Sequence, residues 1–396
     1  ARAQGAGVVD IGLASTDQLY FASGLLDCPG AMFTASHNPA QYNGVKLCRA
    51  GASPVGQDSG LREIQALAER GVPPYDGPTG GFERRDVLAA YGEHLRSMVD
   101  LSAARPLTVV VDAGNGMGGH TVPAVLGPLP FEIVPMYFEL DGTFPNHDAN
   151  PIEPENLVDL QRAVTERGAD AGLAFDGDAD RCFVVDERGA VVSPSAITAL
   201  IAVRELAKER AAGRAGVVIH NVITSKRVPE IVREHGGTPV RERVGHSFIK
   251  ARMAETAAVF GGEHSGHFYF RDFWRADSGM LAALHVLAAL AEQSAPLSEL
   301  MAPYAGYAAS GEINRVVEDQ AAAIRRAQEH FGSRDGVTVD HLDGLTLDAG
   351  DWWFNLRPSG TEPLLRLNVE ARDTGTMEAV RDEVLALIRT TPGGAG

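Results

Sequence analysis

The stretch Ala171-Gly-Leu-Ala-Phe-Asp-Gly-Asp-Ala-Asp-Arg181 decides the fold class. Five apolar residues of strand length run directly into three alternating aspartates. A short continuous apolar run bounded by polar residues reads as a strand buried on both faces, the kind that builds parallel sheets. In open α/β sheets ligands bind beyond the carboxyl ends of such strands, which is where Asp176 stands.

Working outward, residues 107–111 form a second apolar run. It ends in Asp112-Ala-Gly-Asn-Gly-Met-Gly-Gly119, a strand-to-helix turn. The spacing is not GxGxxG, so the turn starts a domain rather than binding a dinucleotide. Helical spacing over 157–167 links the two runs, and strands at 182–185 and 190–192 form a hairpin around Asp186-Glu-Arg-Gly189. Upstream, the pattern gives a strand at 7–11, a helix at 16–25, a strand at 31–33 and a helix at 61–70. A Pro/Gly-rich stretch over 71–81 and a helix at 86–99 follow. Downstream, helices at 195–211, 225–235, 247–254 and 278–293 alternate with strands at 216–220, 238–241 and 257–261. The last segment changes texture, with strands at 312–316, within 337–347, at 352–356 and at 364–371, and helices at 320–331 and 378–388. The expected architecture is three α/β units with mixed sheets, spanning 1–84, 85–190 and 191–305, and an α+β unit over 306–396.

With 44% hydrophobic and 22% charged residues the composition is that of a globular protein. The apolar run at 280–290 is too short to span a bilayer and reads as a buried helix. A net charge of −17 opposes a nucleic-acid partner, because a phosphate backbone would be repelled. Cys28, Cys48 and Cys182 are odd in number, far apart and form no CxxC, which fits free thiols in a reducing cytoplasm better than a disulfide framework or a zinc site. No basic-then-apolar leader opens the chain, so the expectation is a cytoplasmic protein without a membrane partner.

Four segments carry chemistry: Thr34-Ala-Ser-His-Asn-Pro39, Asp176-Gly-Asp-Ala-Asp-Arg181, Gly262-Glu-His-Ser-Gly-His267 and Arg357-Pro-Ser-Gly-Thr-Glu-Pro363. Asp176, Asp178 and Asp180 offer the oxygen ligands that a hard cation such as Mg²⁺ requires. An EF-hand would need Gly at the position of Arg181 and a helix where 182–185 reads as a strand. A structural acidic turn would leave three carboxylates repelling one another. Ser36 offers a hydroxyl that needs a base or a metal to become a nucleophile, and an ST-turn is its structural reading. His37, Asn38 and Lys46 add polar groups suited to phosphate. Arg357, Ser359, Gly360 and Thr361 combine a guanidinium, hydroxyls and successive backbone N–H groups into an anion nest, though alone they read as a turn. Glu263, Ser265 and His267 lie on a Gly-flanked loop with no assignment of its own.

In this order and spacing the four segments resemble the α-D-phosphohexomutase superfamily, specifically its phosphomannomutase/phosphoglucomutase branch. The resemblance spans essentially the whole chain. It implies three similar α/β domains and a TATA-box-binding-protein-like fourth around a central cleft. It also implies a hexose phosphate substrate, Mg²⁺, a hexose 1,6-bisphosphate intermediate and a monomer or weak homodimer. Ser36 matches the phosphoserine, which also faces the metal. Asp176, Asp178 and Asp180 match the Mg²⁺ ligands, and Arg181 the arginine of the metal loop. Lys46 matches a lysine tied to proton transfer, and His246, in Val244-Gly-His-Ser-Phe-Ile-Lys250, a further active-site position. His37, Glu263, Ser265 and His267 match the sugar side. Arg357, Ser359, Gly360 and Thr361 match the grip on the far phosphate. Members usually begin with another strand and an arginine-bearing segment ahead of Val8-Val9, so further native N-terminal residues are expected. The 364–370 tail leans to phosphomannomutases. The alternatives are phosphoglucosamine mutase, a silent sugar-phosphate-binding relative, and a metal-dependent phosphatase.

Overall fold

The computed structural model describes residues 1–359 and 364–389. Leu107–Asp112 lies between Phe131–Met136 and Ala171–Phe175, all parallel, and Cys182–Asp186 and Val191–Val192 extend this sheet antiparallel. The next unit repeats the pattern. Val217–Asn221 lies between Thr238–Glu242 and Phe260–Gly262 in parallel, and Phe268–Phe270 and Ala276–Asp277 add antiparallel strands. In the first unit Val8–Asp10 pairs in parallel with Phe82–Arg84, while Gly30–Phe33, Val45–Arg49 and Ser53–Pro54 form a separate antiparallel sheet.

The last unit is a five-stranded antiparallel sheet with helices Gln320–Gly332 and Thr374–Arg389 on one face. Strand alternation explains its two characters. Phe354, Leu356, Leu365, Leu367 and Val369 meet Phe331 and Val384 in the core. Trp353, Asn355 and Arg357 point the other way, opposite Glu370, Asn368 and Arg366 on the neighbouring strand. This polar face turns toward the third unit. The Lys226 ammonium lies 2.5 Å from Asp348, the Lys226 amide donates to Glu370 at 3.0 Å, and Arg241 donates to Asp340 at 2.8 Å.

Helix Gly279–Ala291 is buried along its whole length, packed against helices Pro194–Ala211, Leu88–Met98 and Gly118–Leu126. That burial, not a membrane, explains a sequence apolar throughout except for His285. No described helix is long and apolar enough to cross a membrane.

Asp17, in the first turn of helix Thr16–Leu26, joins the first three units. Its carboxylate accepts the Tyr91 hydroxyl at 2.7 Å, the Ser278 hydroxyl at 2.6 Å and a very short bond from Ser15. Complete burial pushes its pKa up to about 6, because the hydroxyls only partly offset lost hydration.

The strand Val45–Arg49, the strand Phe131–Met136 and helix Gly118–Leu126 were not anticipated from the sequence pattern. The first is hidden by its glycine- and proline-rich approach, the second carries Pro135, and the helix carries Pro123.

Candidate active site

Phe175 pairs with Cys182, so Asp176 to Arg181 are the six residues of a hairpin loop. Arg181 closes that loop through its amide and its Nε, which donate to Asp176 at 3.1 and 2.9 Å. Ala179 takes a left-handed φ of 57°, a conformation costly for a residue with a Cβ. The result is three carboxylates turned to one point, with ligand oxygens of Asp176, Asp178 and Asp180 within 4.8 Å of one another.

The charge of this cluster is uneven. Burial, followed by the Arg181 and neighbouring carboxylate charges, leaves Asp176 raised to about 7. Burial would also raise Asp178, but Lys46 and the hydroxyls of Thr16 and Thr34 outweigh it and hold it down to about 2. Lys46 lies 2.7 Å from Asp178 and 2.5 Å from Asp180. Burial opposes its charge, yet Asp180 and Asp178 raise its pKa well above the usual lysine value. Asp178 Oδ1, Asp180 Oδ1 and Arg181 Nη2 are buried without a hydrogen-bond partner. Carboxylate oxygens left unsatisfied and converging fit a hard divalent cation.

Ser36 sits above this loop. Its hydroxyl is 3.3 Å from Asp176 Oδ2 and 3.2 Å from His37 Nδ1, and its amide donates to Thr34 Oγ1 at 2.8 Å. Ser36 is half-buried, with a left-handed φ of 55°. Burial, aided by the Arg181 charge, lowers the His37 pKa to about 4, so its ring is neutral near pH 7.

An isolated bridge between Arg181 and His267 brings the third unit's loop onto the carboxylate loop. His267 Nδ1 is 3.0 Å from Asp277, which pairs with Lys250 at 2.8 Å. Burial would lower the His267 pKa, but Asp180 and Asp277 raise it overall. His246 is exposed beside it, with ring centroids 6.1 Å apart. Glu263 is buried and held by Asn221 at 3.1 Å, the Gly245 amide at 3.0 Å and the Tyr269 hydroxyl at 2.6 Å. Ser265, two residues on, is half-buried, as is His264, whose Nδ1 lies 3.1 Å from the Ser195 hydroxyl.

Arg357, on strand Trp352–Pro358, is held between Glu312 at 3.6 Å and Asp343 at 3.5 Å. Asp343 also accepts the Val244 amide at 3.0 Å, which ties this arginine to the turn that leads into helix His246–Thr256. The Ser359 amide donates to the Leu364 carbonyl at 2.9 Å. Gly360 and Thr361 lie outside the described residues.

Several contributors escaped the sequence reading. Thr16 donates to Asp178 at 2.8 Å, and Thr34 to the same oxygen at 3.1 Å. Lys250 and Asp277 support His267, and Asp343 and Glu312 flank Arg357. A signal existed for Thr16, the Ser15-Thr16-Asp17 start of a helix, but it marks a cap as readily as a site.

Units of this kind in this order define the α-D-phosphohexomutase class. Four phosphoglucomutase/phosphomannomutase models match the chain: alpha/beta/alpha domain I over 1–72, domain II over 89–189, domain III over 193–307 and the C-terminal domain over 312–387. The chain therefore belongs to the phosphoglucomutase/phosphomannomutase family. It is 42% identical to a phosphomannomutase of Salmonella montevideo, over 98% of this chain and 86% of that one. It is also 42% identical to a phosphohexose mutase of Xanthomonas campestris, over 98% and 86%. A phosphoglucomutase/phosphomannomutase family structure from Burkholderia thailandensis superposes with a TM-score of 0.86 at 31% identity, covering 100% of this chain and 85% of that one. An Aspergillus fumigatus N-acetylphosphoglucosamine mutase, solved with GlcNAc-6P and magnesium, shares the fold at 16% identity and a TM-score of 0.64, over 95% and 91%.

Proposed function

We propose that the chain interconverts hexose 6-phosphates and hexose 1-phosphates, of mannose and glucose, through a phosphoserine at Ser36 and a bound hexose 1,6-bisphosphate. The observation that carries this reading is the Ser36 hydroxyl 3.3 Å from Asp176, at the mouth of a three-carboxylate cluster. Relatives named as phosphomannomutases and phosphohexose mutases at 42% identity support it.

Each residue then has a task. The Ser36 Oγ–P bond breaks as a bond forms from phosphorus to the free hydroxyl of the sugar, whose proton leaves to a neighbouring base. Asp176, Asp178 and Asp180 would hold Mg²⁺, which neutralises charge on the transferring group. Arg181, with an unpartnered Nη2, takes a phosphoryl oxygen, and Lys46 takes part in proton transfer at Ser36. His37, Ser265 and His267 line the sugar, with His246 beside them and Glu263 bracing their loop. Arg357, with Ser359, Gly360 and Thr361, grips the far phosphate. The intermediate turns over so that the second phosphate returns to Ser36. Because the protein forms few bonds itself, positioning and electrostatics supply most of the rate. The proposed units are 1–84, 85–190, 191–305 and 306–396.

Assay of mannose, glucose and glucosamine phosphates with Mg²⁺ and a trace of hexose 1,6-bisphosphate tests the substrate. Turnover of mannose or glucose phosphate at least tenfold above glucosamine phosphate is expected. A preference for glucosamine phosphate, or release of free phosphate as the main product, would overturn it.

A further inference from the structure

The polar face of the last unit does not close completely on the third unit. Between them lies a cavity of about 460 Å³, within the range of small-molecule sites. Its walls come from helix Arg227–Glu234 and strand Thr238–Glu242 on one side, and from Leu345–Asp348 and Trp353 on the other. None of the residues placed in the active site lines it.

The charges along its wall do not cancel. Lys226, Arg233, Arg241 and Arg372 face three carboxylates. Each carboxylate already has its own donor. Lys226 serves Asp348, Arg241 serves Asp340, and Arg227 with the Tyr307 hydroxyl serves Glu230. Arg233 has no carboxylate partner among the described residues, its Nη1 reaching only the Pro229 carbonyl at 3.3 Å. Arg372 is largely exposed and 3.5 Å from an exposed Asp351. Arg233 is therefore left to an incoming anion, and Arg372 can exchange its solvent-exposed pair with Asp351 for one, in a chain whose net charge is −17.

The wall also offers hydrogen bonds to a neutral body. His220 is 6% exposed, and its Nδ1 lies 3.3 Å from the Asn221 carbonyl. Burial lowers its pKa to about 4, so the ring is neutral, Nδ1 carries the proton and Nε2 is left as an acceptor. Thr338 adds a hydroxyl at the rim.

We propose that this interdomain cavity is a second ligand site for a small phosphorylated polyol, its phosphate on Arg233 and Arg372 and its hydroxyls on His220 and Thr338. The site touches both units and reaches the sugar loop through protein hydrogen bonds. Trp353 Nε1 and the Lys226 amide donate to Glu370, the adjacent Ser225 amide donates to the Ser195 hydroxyl, and that hydroxyl lies 3.1 Å from His264 Nδ1. Occupancy therefore sets the separation of the unit that lines the sugar from the unit that grips the far phosphate.

The test is isothermal titration of the full chain with glucitol 6-phosphate, in wild type, in Arg357→Ala and in Arg233→Ala/Arg372→Ala. Two binding events are expected in wild type. Arg357→Ala weakens one, and the double variant weakens the other at least tenfold while its thermal unfolding stays unchanged. A single event lost with Arg357→Ala, or a double variant that titrates like wild type, overturns the site. Inorganic phosphate should bind the cavity at least tenfold more weakly than glucitol 6-phosphate. Equal binding would overturn the polyol assignment. Because the cavity shares no residue with the carboxylate loop, the double variant should keep any mutase activity, so failure here is distinct from failure of the mutase reading.

Discussion

Gly177 has no room for a side chain, because the Ser36 carbonyl oxygen lies 2.4 Å from where its Cβ would stand. Backbone therefore packs directly on backbone where the serine turn meets the carboxylate loop. Gly177→Ala has to push Ser36 away from Asp176, a displacement that costs more in rate than in stability. We expect kcat to fall about 100-fold, with a stability loss of roughly 1–3 kcal/mol. Steady-state kinetics beside chemical denaturation check this, and an active Gly177→Ala variant would contradict the packing argument.

Asp17 makes the junction of the first three units depend on pH. Its pKa is raised to about 6 from a usual 3.8, so the folded state holds this proton more tightly than the unfolded chain. Its contribution is full below pH 3.8 and is lost as pH rises toward and through 6. Asp17→Asn removes that titration. The variant should gain on wild type by roughly 2–3 kcal/mol between pH 4 and pH 7. Denaturation in EDTA at both pH values measures the difference, and a pH-independent gap would contradict it.

Metal removal should act on both activity and stability. Asp178 Oδ1 and Asp180 Oδ1 lack donors, so a cation gains two free ligand oxygens there. Millimolar Mg²⁺ should raise the melting temperature of EDTA-treated protein by a few degrees. Asp178→Asn should remove most of that shift, and an equal shift in the variant would place the metal elsewhere.

Arg357 should govern substrate affinity through a planar, two-pronged grip. Arg357→Lys keeps the charge but loses that geometry, so KM should rise about 10-fold or more with a smaller change in kcat. Glu312→Gln, which loosens the guanidinium from one side, should move KM in the same direction by less. An unchanged KM in Arg357→Lys would remove this residue from phosphate binding.

The architecture was legible wherever burial writes itself into local pattern. The runs at 107–111 and 171–175 are apolar because both faces of those strands are covered. The change of texture in the last segment announced an α+β unit, and its strands form one antiparallel sheet. Junctions were not legible. Asp17 meets Ser278 from 261 positions away, and no local periodicity encodes such a pairing. The same holds for Thr16 on Asp178 and Asp343 on Arg357, where ordinary polar residues gain a role only from what the fold sets opposite them. The three aspartates stood out because adjacent carboxylates repel one another without a cation, whereas Ser36 reads as an ordinary turn serine until the other segments are set beside it.

The central claim is that Ser36 carries the phosphoryl group, and intact mass tests it most directly. After incubation with glucose 1,6-bisphosphate and Mg²⁺, wild type should gain about 80 Da, the mass of one phosphoryl group. Peptide mapping should place it on Ser36, and Ser36→Ala should neither gain the mass nor turn over hexose phosphate. A Ser36→Ala protein that still interconverts the two phosphates at the wild-type rate would contradict the account.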